Sequence, residues 1–305
     1  MKKIINAVIC LIIILSSAIA LGGCTKSSYI YMNAETYCVG DGTIDDLKIS
    51  TIDIDWLAGS VELEVSSDIE KVSISESYKK TLKDDQKLRY KLSNGTLSVK
   101  YRNSSTTKVD VGLEKTLVVK IPASVEGLTK IVAKSSTASI KVNGNFKNAV
   151  CSPLTEINLQ SASGLITLGG FNATKLFAKS VSGNVIVKTC QISAVNIETT
   201  SGGIYTQDII GSTMVVKTVS GASKIRCNSA VSSVSVKSSS GAVELLLPQS
   251  IVGYEVNFKT LSGKYSSEFA EKTVDNKKVY GTGVSSSITI ETVSGGFAIK
   301  KNDNA

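Results

Sequence analysis

Ser182-Gly183-Asn184-Val185-Ile186-Val187 is followed 19 residues later by Ser201-Gly202-Gly203-Ile204-Tyr205-Thr206. The same Ser-Gly step recurs through the second half of the chain, and the intervals between its glycines are 19, 19, 19, 20, 22 and 32 residues. The glycines are Gly164, Gly183, Gly202, Gly221, Gly241, Gly263 and Gly295. A period of about 20 residues, with one supersecondary unit in each repeat, is typical of a solenoid.

Apolar residues keep the same positions around each glycine and occur in pairs two residues apart. Ile157 and Leu159 precede Gly164, for example, and Ile166 and Leu168 follow it. This spacing predicts strands with alternate side chains pointing inward. Because parallel crossovers are overwhelmingly right-handed, we expect an all-β chain that forms a right-handed parallel β-helix (a β-solenoid) with about 19–22 residues per turn.

The glycine at each corner has two physical explanations, a positive φ or a close approach of another backbone. Fainter corners stand upstream at Gly59, Gly95 and Ala138.

The residues from Tyr78 to Lys87 read as a loop, and Glu268 to Val284 as a long insertion that projects from the stack. The predicted organisation is a signal peptide (1–23), a lipid-anchored tether and first segment (24–48), a solenoid domain (49–300, less regular to about 130) and a C-terminal tail (301–305).

The N-terminus predicts export and lipid attachment. Met1-Lys2-Lys3 precedes an apolar run that ends in Leu21-Gly22-Gly23-Cys24, which resembles the lipobox of bacterial lipoproteins. The resemblance implies cleavage before Cys24 and lipidation of its sulfur, with acyl chains such as palmitate holding the protein on the outer side of the cell membrane. A plain transmembrane helix or an ordinary signal peptide is the alternative.

Composition narrows the function. The chain has no histidine and a net charge of +8, which removes His-dependent catalysis and His metal sites. Lysine supplies most of the positive charge, so anionic envelope polymers or lipid head groups are expected partners. Nucleic acid is disfavoured, since arginine is scarce and Trp56 is the only tryptophan. No cofactor motif is present.

A polysaccharide-cleaving β-helix would need carboxylates on adjacent rungs, and the repeat places no such pair. Upstream, Asp53 and Asp55 share one strand face, and Glu62 and Glu64 share another. If these two strands pair, the four carboxylates meet and bind a cation. The favoured interpretation is two amphipathic strands with solvated acids, so no metal site is predicted.

Three cysteines recur near one point of the return segment: Cys151, Cys190 and Cys227. They stand about two rungs apart, or roughly 9.6 Å, which is beyond disulfide reach. Phe171 and Ile209 occupy the sites between them, which favours a buried apolar column.

One outward position carries several lysines. Four residues before each glycine stand Gln160, Lys179, Glu198, Lys217, Lys237, Lys259 and Glu291. We expect Lys217, Lys237 and Lys259 on successive rungs, where they form a column. The favoured interpretation is an ordinary solvated face that keeps the sheet from aggregating, and the alternative is a face that binds an anionic polymer.

The chain resembles the bacterial "putative adhesin" family, a β-helix domain of unknown function. The resemblance rests on Ile52–Leu63 with Ile74-Ser75-Glu76, on Leu88-Arg89-Tyr90 with Asn94–Leu97, and on the Ser-Gly series. It covers residues 49 to 300 approximately and implies a solenoid in a cell-envelope setting, with no catalytic residues to carry over.

The expected function is therefore that of a non-enzymatic surface lipoprotein that presents a binding face for adhesion or envelope interaction. Two alternatives stay open. One is an accessory or structural component of an envelope stress-response system, and the other is a polysaccharide-active enzyme.

Overall fold

The computed structural model describes residues 28–106, 112–146, 153–229 and 231–302. This part of the chain holds 25 strands and two 3-10 helices of three residues each, Ala34–Thr36 and Asp84–Gln86. The prediction of an all-β chain is confirmed. None of the described helices is long and apolar enough to span a membrane. The predicted signal peptide and Cys24 lie outside the described residues.

The N-terminal part of the fold mixes parallel and antiparallel pairs. Its strands are β1 (Cys38–Val39), β2 (Gly42–Ile44), β3 (Thr51–Trp56), β4 (Gly59–Ser66), β5 (Val72–Ser77), β6 (Arg89–Ser93), β7 (Thr96–Lys100) and β8 (Lys115–Pro122). β6 and β7 form an antiparallel hairpin whose turn has Asn94 at φ 50° and Gly95 at φ 72°. Two consecutive positive φ values are typical of a tight hairpin turn, so Gly95 is not a solenoid corner as its sequence context suggested.

The remaining strands build the repeat. They are β9 (Lys130–Ser135), β10 (Ser139–Asn145), β11 (Leu154–Ser161), β12 (Ile166–Gly169), β13 (Asn172–Ser180), β14 (Val185–Thr199), β15 (Ile204–Ile210), β16 (Thr213–Thr218), β17 (Ser223–Cys227), β18 (Ser233–Ser238), β19 (Val243–Pro248), β20 (Gly253–Thr260), β21 (Tyr265–Ser267), β22 (Lys272–Val274), β23 (Lys277–Gly281), β24 (Ser286–Thr292) and β25 (Phe297–Asn302).

Parallel pairing organises these strands into two faces. We call the strands that precede the Ser-Gly corners, and their parallel neighbours, the first face: β7, β3, β9, β11, β13, the C-terminal half of β14, β16, β18, β24 and β20. The strands that follow the corners form the second face: β8, β4, β10, β12, the N-terminal half of β14, β15, β17, β19, β25 and β21. The architecture is solenoid-like and the strand network is open.

The order of the last turns departs from the sequence order. β24 pairs with β18 on one side and with β20 on the other, and β25 likewise lies between β19 and β21. The final turn of the chain is thus inserted ahead of the turn that precedes it in sequence. The expectation that β18 and β20 are neighbours is wrong.

The segment Glu268–Val284 does not project, in contrast to the sequence-based expectation. It forms the β22–β23 hairpin, and β23 pairs antiparallel with β20. Phe269 is buried, and its ring lies 4.9 Å from that of Tyr280. The hairpin therefore covers the Gly253–Val256 part of the free edge of the first face, which would otherwise offer unpaired backbone groups to another chain.

The inward positions form one continuous core. Ile157, Leu159, Ile166 and Leu168 are all fully buried, as their spacing predicted. The cysteine column also holds within the described residues, because Ile209 pairs with Cys190 on one side and Cys227 on the other and all three are buried. Burial raises the pKa of the Cys227 thiol to about 12, so it stays protonated and packs as a small apolar group. Cys151 lies outside the described residues.

Candidate functional site

The Ser-Gly corners form one unbroken column. A Cβ added to Gly202 would lie 2.0 Å from the carbonyl oxygen of Gly183, and one added to Gly221 would lie 2.0 Å from that of Gly202. The same contact links all seven predicted glycines, in the spatial order Gly164, Gly183, Gly202, Gly221, Gly241, Gly295 and Gly263, with Ala138 below Gly164. None of the seven has a positive φ. Close backbone approach, not left-handed conformation, therefore requires glycine here.

A hydroxyl stands three residues before each glycine and bonds to the backbone at every corner except that of Ser180, and the sequence analysis missed it. The Gly221 amide donates to Thr218 Oγ1 at 3.0 Å, and the Gly295 amide donates to Thr292 Oγ1 at 2.9 Å. The residues at this position are Ser161, Ser180, Thr199, Thr218, Ser238, Thr260 and Thr292. The repeated unit is thus Ser/Thr-x-Ser-Gly, a signal that was present in the sequence.

The lysine column of the first face is interrupted by carboxylates. Lys217 and Lys237 are neighbours, but Glu291 lies between Lys237 and Lys259. Glu291 pairs with Lys237 at 2.9 Å and with Lys259 at 3.7 Å, and Glu198 pairs with Lys217 at 2.8 Å. The predicted run of three successive lysines is wrong, because the last two turns exchange places. Anion binding by this column stays a hypothesis from the sequence, and the carboxylates between its lysines favour the other interpretation, an ordinary solvated face.

The second face carries a basic groove that the sequence analysis did not find. Lys188, Tyr205, Lys224 and Arg226 line a shallow depression of about 280 Å³. Tyr205 is 42% exposed near the start of β15 and lies between Ile186 and Lys224 on the adjacent strands. These residues come from three repeats, so only the strand register brings them together.

A buried charged cluster closes the N-terminal end of the stack. The Lys115 side chain is fully buried, and its Nζ lies 2.6 Å from Glu76 Oε2, whose side chain is 5% exposed. Lys115 also donates to the carbonyls of Gln86 and Tyr101 and lies over the Trp56 ring at 4.8 Å from its centroid. Burial lowers the pKa of Lys115 to about 8, while the hydrogen bond and charge of Glu76 oppose this shift.

The strand pattern contained a signal for this cluster. Lys115 shares its inward parity with Leu117, Val119 and Ile121 on β8. A lysine at a core position requires a buried partner.

The acidic residues of β3 and β4 do not meet. β3 pairs with β7 and β9, whereas β4 pairs with β8 and β10. Ile52, Ile54 and Trp56 are buried, and Asp53 instead pairs with Lys100 at 3.3 Å. The amphipathic-strand interpretation therefore holds. Across the described ranges, no group of three or more Cys, Asp or Glu residues is placed to hold a metal ion.

Two stacked faces joined by glycine corners define a β-solenoid-like class of protein. The chain belongs to the Toastrack DUF4097 family, whose model matches residues 49–300. This family is a domain of unknown function, and the resemblance seen in the sequence is thereby confirmed.

The solved structures that this chain matches include three described as a "putative adhesin". The protein from Bacteroides fragilis is 15% identical, with a TM-score of 0.45, and the match covers 88% of this chain and 98% of that one. The protein from Parabacteroides distasonis is 14% identical, with a TM-score of 0.49 and coverages of 87% and 97%. For Parabacteroides merdae the values are 13%, 0.49, 88% and 96%. No curated protein matches the chain.

Proposed function

We propose that this protein is a non-enzymatic surface lipoprotein whose solenoid presents a binding face to the cell envelope. The observation that carries this proposal is the construction of the stack. Its interior is filled by apolar side chains and by corner hydroxyls that bind backbone, whereas its outward positions form columns across the strands. Such a scaffold displays side chains at regular strand spacing, roughly 4.8 Å apart, and this suits an extended ligand. We also infer that the stack coils to the right, as parallel crossovers do.

The N-terminal sequence supports attachment to the membrane through lipid on Cys24. Two acyl chains suffice for stable anchoring where one is marginal. In an exporting bacterial host, the full chain should fractionate with membranes and be digested by protease added to intact cells. Cys24→Ala should release the protein or leave its signal uncleaved. Mass spectrometry that finds an unmodified Cys24 in the mature protein would refute the anchor.

Binding to the envelope is tested with the lipidated full chain in proteoliposomes. These are mixed with wall polymers, with membranes and with solubilised membrane proteins from the native host, and co-sedimentation is compared with that of protein-free liposomes. Retention of wall polymer supports adhesion, and retention of a membrane protein supports the accessory role in a stress-response system. No retention of any fraction, or shortening of a glycan with release of reducing ends, would overturn the proposal.

A further inference from the structure

The outward side of the second face carries several cations, and Glu62 lies opposite Lys141 on the neighbouring strand β4. Lys141 and Lys188 are exposed and Arg226 is half-buried. Among the residues that the structure describes, none of the three forms an ion pair. Lys224 contacts Glu244 only loosely, at 3.8 Å, because the Glu244 carboxylate is held by Lys300 at 2.7 Å. This arrangement differs from the column on the first face, where Glu198 and Glu291 neutralise the lysines.

These cations line two adjoining depressions, which we together call the channel. One lies around Tyr205, and the other, of about 290 Å³, reaches from Lys188 to Lys141. The two share Lys188 and together cross β10, β12, β14, β15 and β17. Four strand spacings correspond to roughly 19 Å. The channel is therefore long enough for several units of a linear polymer, and the described residues that line it include no carboxylate.

Tyr205 gives the channel an aromatic surface. Gly203 makes room for its ring, since a Cβ there would lie 2.8 Å from Tyr205 Cε2. The Tyr205 hydroxyl has no hydrogen-bond partner within the described ranges and is free to bond a ligand. A flat ring beside cations suits a ligand that is both ring-bearing and anionic.

Arg226 is held at the end of the channel by an irregularity of the backbone. The pairing of β15 with β17 shifts register between Thr206 and Ile209. The Arg226 amide donates to Thr206 Oγ1 at 3.1 Å, which fixes the main chain. Its guanidinium has no acidic partner among the described residues. A planar guanidinium of this kind matches a carboxylate with two parallel hydrogen bonds.

We propose that this channel, defined by Lys141, Lys188, Tyr205, Lys224 and Arg226, binds an acidic polysaccharide whose sugars carry carboxylates. A sugar ring stacks on Tyr205, and the cations meet the carboxylates on either side of it. The proposal rests on the envelope-binding function and names its ligand class and its face. Single-stranded nucleic acid also pairs bases with aromatic rings and cations, but one exposed ring and one arginine make a poor stacking platform.

The test uses the lipidated full chain in proteoliposomes, with polygalacturonate as the probe at low and at high salt. The channel variant is Lys141→Gln/Lys188→Gln/Arg226→Gln. The matched control is Lys217→Gln/Lys237→Gln/Lys259→Gln, which removes three charges from the first face. The channel variant should lose about tenfold or more in affinity at low salt, while the control stays within about twofold of the parent. Equal binding by the channel variant, or a larger loss in the control, would overturn the proposal.

The ring is tested separately by Tyr205→Thr, which keeps a strand-forming residue. This change should weaken polygalacturonate binding about threefold or more and leave binding of inorganic polyphosphate unchanged. Neutral dextran should not bind. Tighter binding of oligo(dT) than of polygalacturonate would refute the ligand class. If the parent retains native wall polymer but not polygalacturonate, this inference fails and the proposed function stands, whereas retention of neither removes both.

Discussion

Lys237 Nζ lies 2.9 Å from Glu291 Oε2 on the neighbouring parallel strand, although all of β19–β23 separates the two residues in sequence. Lys259 approaches the same carboxylate from the other side at 3.7 Å. The final turn of the chain thereby places a negative charge between two lysines. This position follows from the insertion of β24–β25 ahead of β20–β21.

Glu291→Lys should lower the free energy of unfolding, because it places four lysines on consecutive strands. The loss should be roughly 1–2 kcal/mol in dilute buffer and shrink in high salt, since the site is partly exposed. Urea unfolding at two salt concentrations measures it. Glu70→Lys makes the same charge change at an exposed site and serves as the control. Equal losses in the two variants would contradict the inserted order of the turns.

The stability that the Glu291 carboxylate contributes should depend on pH in the acid range. The hydrogen bond and charge of Lys237 hold the pKa of Glu291 below its usual value. A carboxyl whose pKa is depressed by folding adds stability above its unfolded pKa and loses it as the pH falls through the folded pKa. The stability difference between parent and Glu291→Gln should therefore be present at neutral pH and shrink below about pH 4.5. A difference that grows as the pH falls would contradict the ion pair.

Gly202→Ala should destabilise the protein by about 3 kcal/mol, because the new Cβ would overlap the Gly183 carbonyl on the adjacent rung. The cause is the close approach of the neighbouring backbone and not a left-handed φ, so a single added methyl group should suffice. Thermal unfolding measures the loss. Gly283→Ala is the matched control, since a Cβ there meets nothing within 4 Å and no positive φ restrains it. Equal melting of both variants would show that the corners are looser than the contact distances indicate.

The corner hydroxyls supply a second matched pair. Thr218→Val removes the acceptor of the Gly221 amide and should cost about 1–2 kcal/mol. Ser180→Ala changes the same position two rungs away, where Oγ has no partner among the described residues. Its cost should be within about 0.5 kcal/mol of zero. A larger loss for Ser180→Ala than for Thr218→Val would mean that hydroxyl packing matters more than the amide bond.

The sequence predicted the repeat well because its signals are local. Alternation around each Ser-Gly step fixes which side chains face inward, and the same step identifies each corner. The order of the last turns is not local. Val256 and Phe258 of β20 have the same spacing as Ile288 and Ile290 of β24, so either strand fits beside β18 by pattern. The two strands differ in one respect: β20, and not β24, has the β22–β23 hairpin paired along part of its outer edge.

The candidate sites differ in how much of each could be predicted from the sequence. The inward parity of Lys115 with Leu117 and Val119 is visible in eight residues of sequence, so a buried lysine was predictable from pattern alone. Its partner Glu76 could not be predicted in the same way, because β5 pairs antiparallel with β8 and this register depends on the fold. The channel around Tyr205 needs the register of several strands at once. No local pattern brings Lys141 and Arg226 to one surface.

The buried Lys115–Glu76 pair predicts an unusual pH dependence. Burial lowers the pKa of folded Lys115 to about 8 from an ordinary value of 10.5. Between these values the unfolded chain binds more protons than the folded one. Stability contributed by this group should therefore rise as the pH increases from about 8 toward 10.5 and stay at its minimum below pH 8. The full effect is about 3 kcal/mol.

Other buried groups act in the opposite direction at high pH. Burial raises the pKa of Cys227 and of Tyr29, and a raised acid pKa removes stability once the unfolded group ionises. The contribution of Lys115 is therefore isolated by subtraction of a variant. The difference in unfolding free energy between the parent and Lys115→Met/Glu76→Gln should become more favourable to the parent from pH 7.5 to 9.5. Lys120→Met, an exposed change on the same strand, should leave the profile unchanged.

Removal of one partner should do more harm than removal of both. Glu76→Gln leaves the Lys115 ammonium buried without its counter-ion and should cost about 3–5 kcal/mol at pH 7. It should also lower the Lys115 pKa further, because the hydrogen bond and charge of Glu76 are what raise it. In the double variant Lys115→Met/Glu76→Gln the cost should be smaller, since a neutral amide faces an apolar chain and no buried charge remains. Urea unfolding of Lys115→Met, of Glu76→Gln and of the double variant gives the coupling energy. A coupling near zero would mean that the buried cluster at the N-terminal end of the stack depends on the aromatic packing of Trp56 and Tyr101 and not on the ion pair.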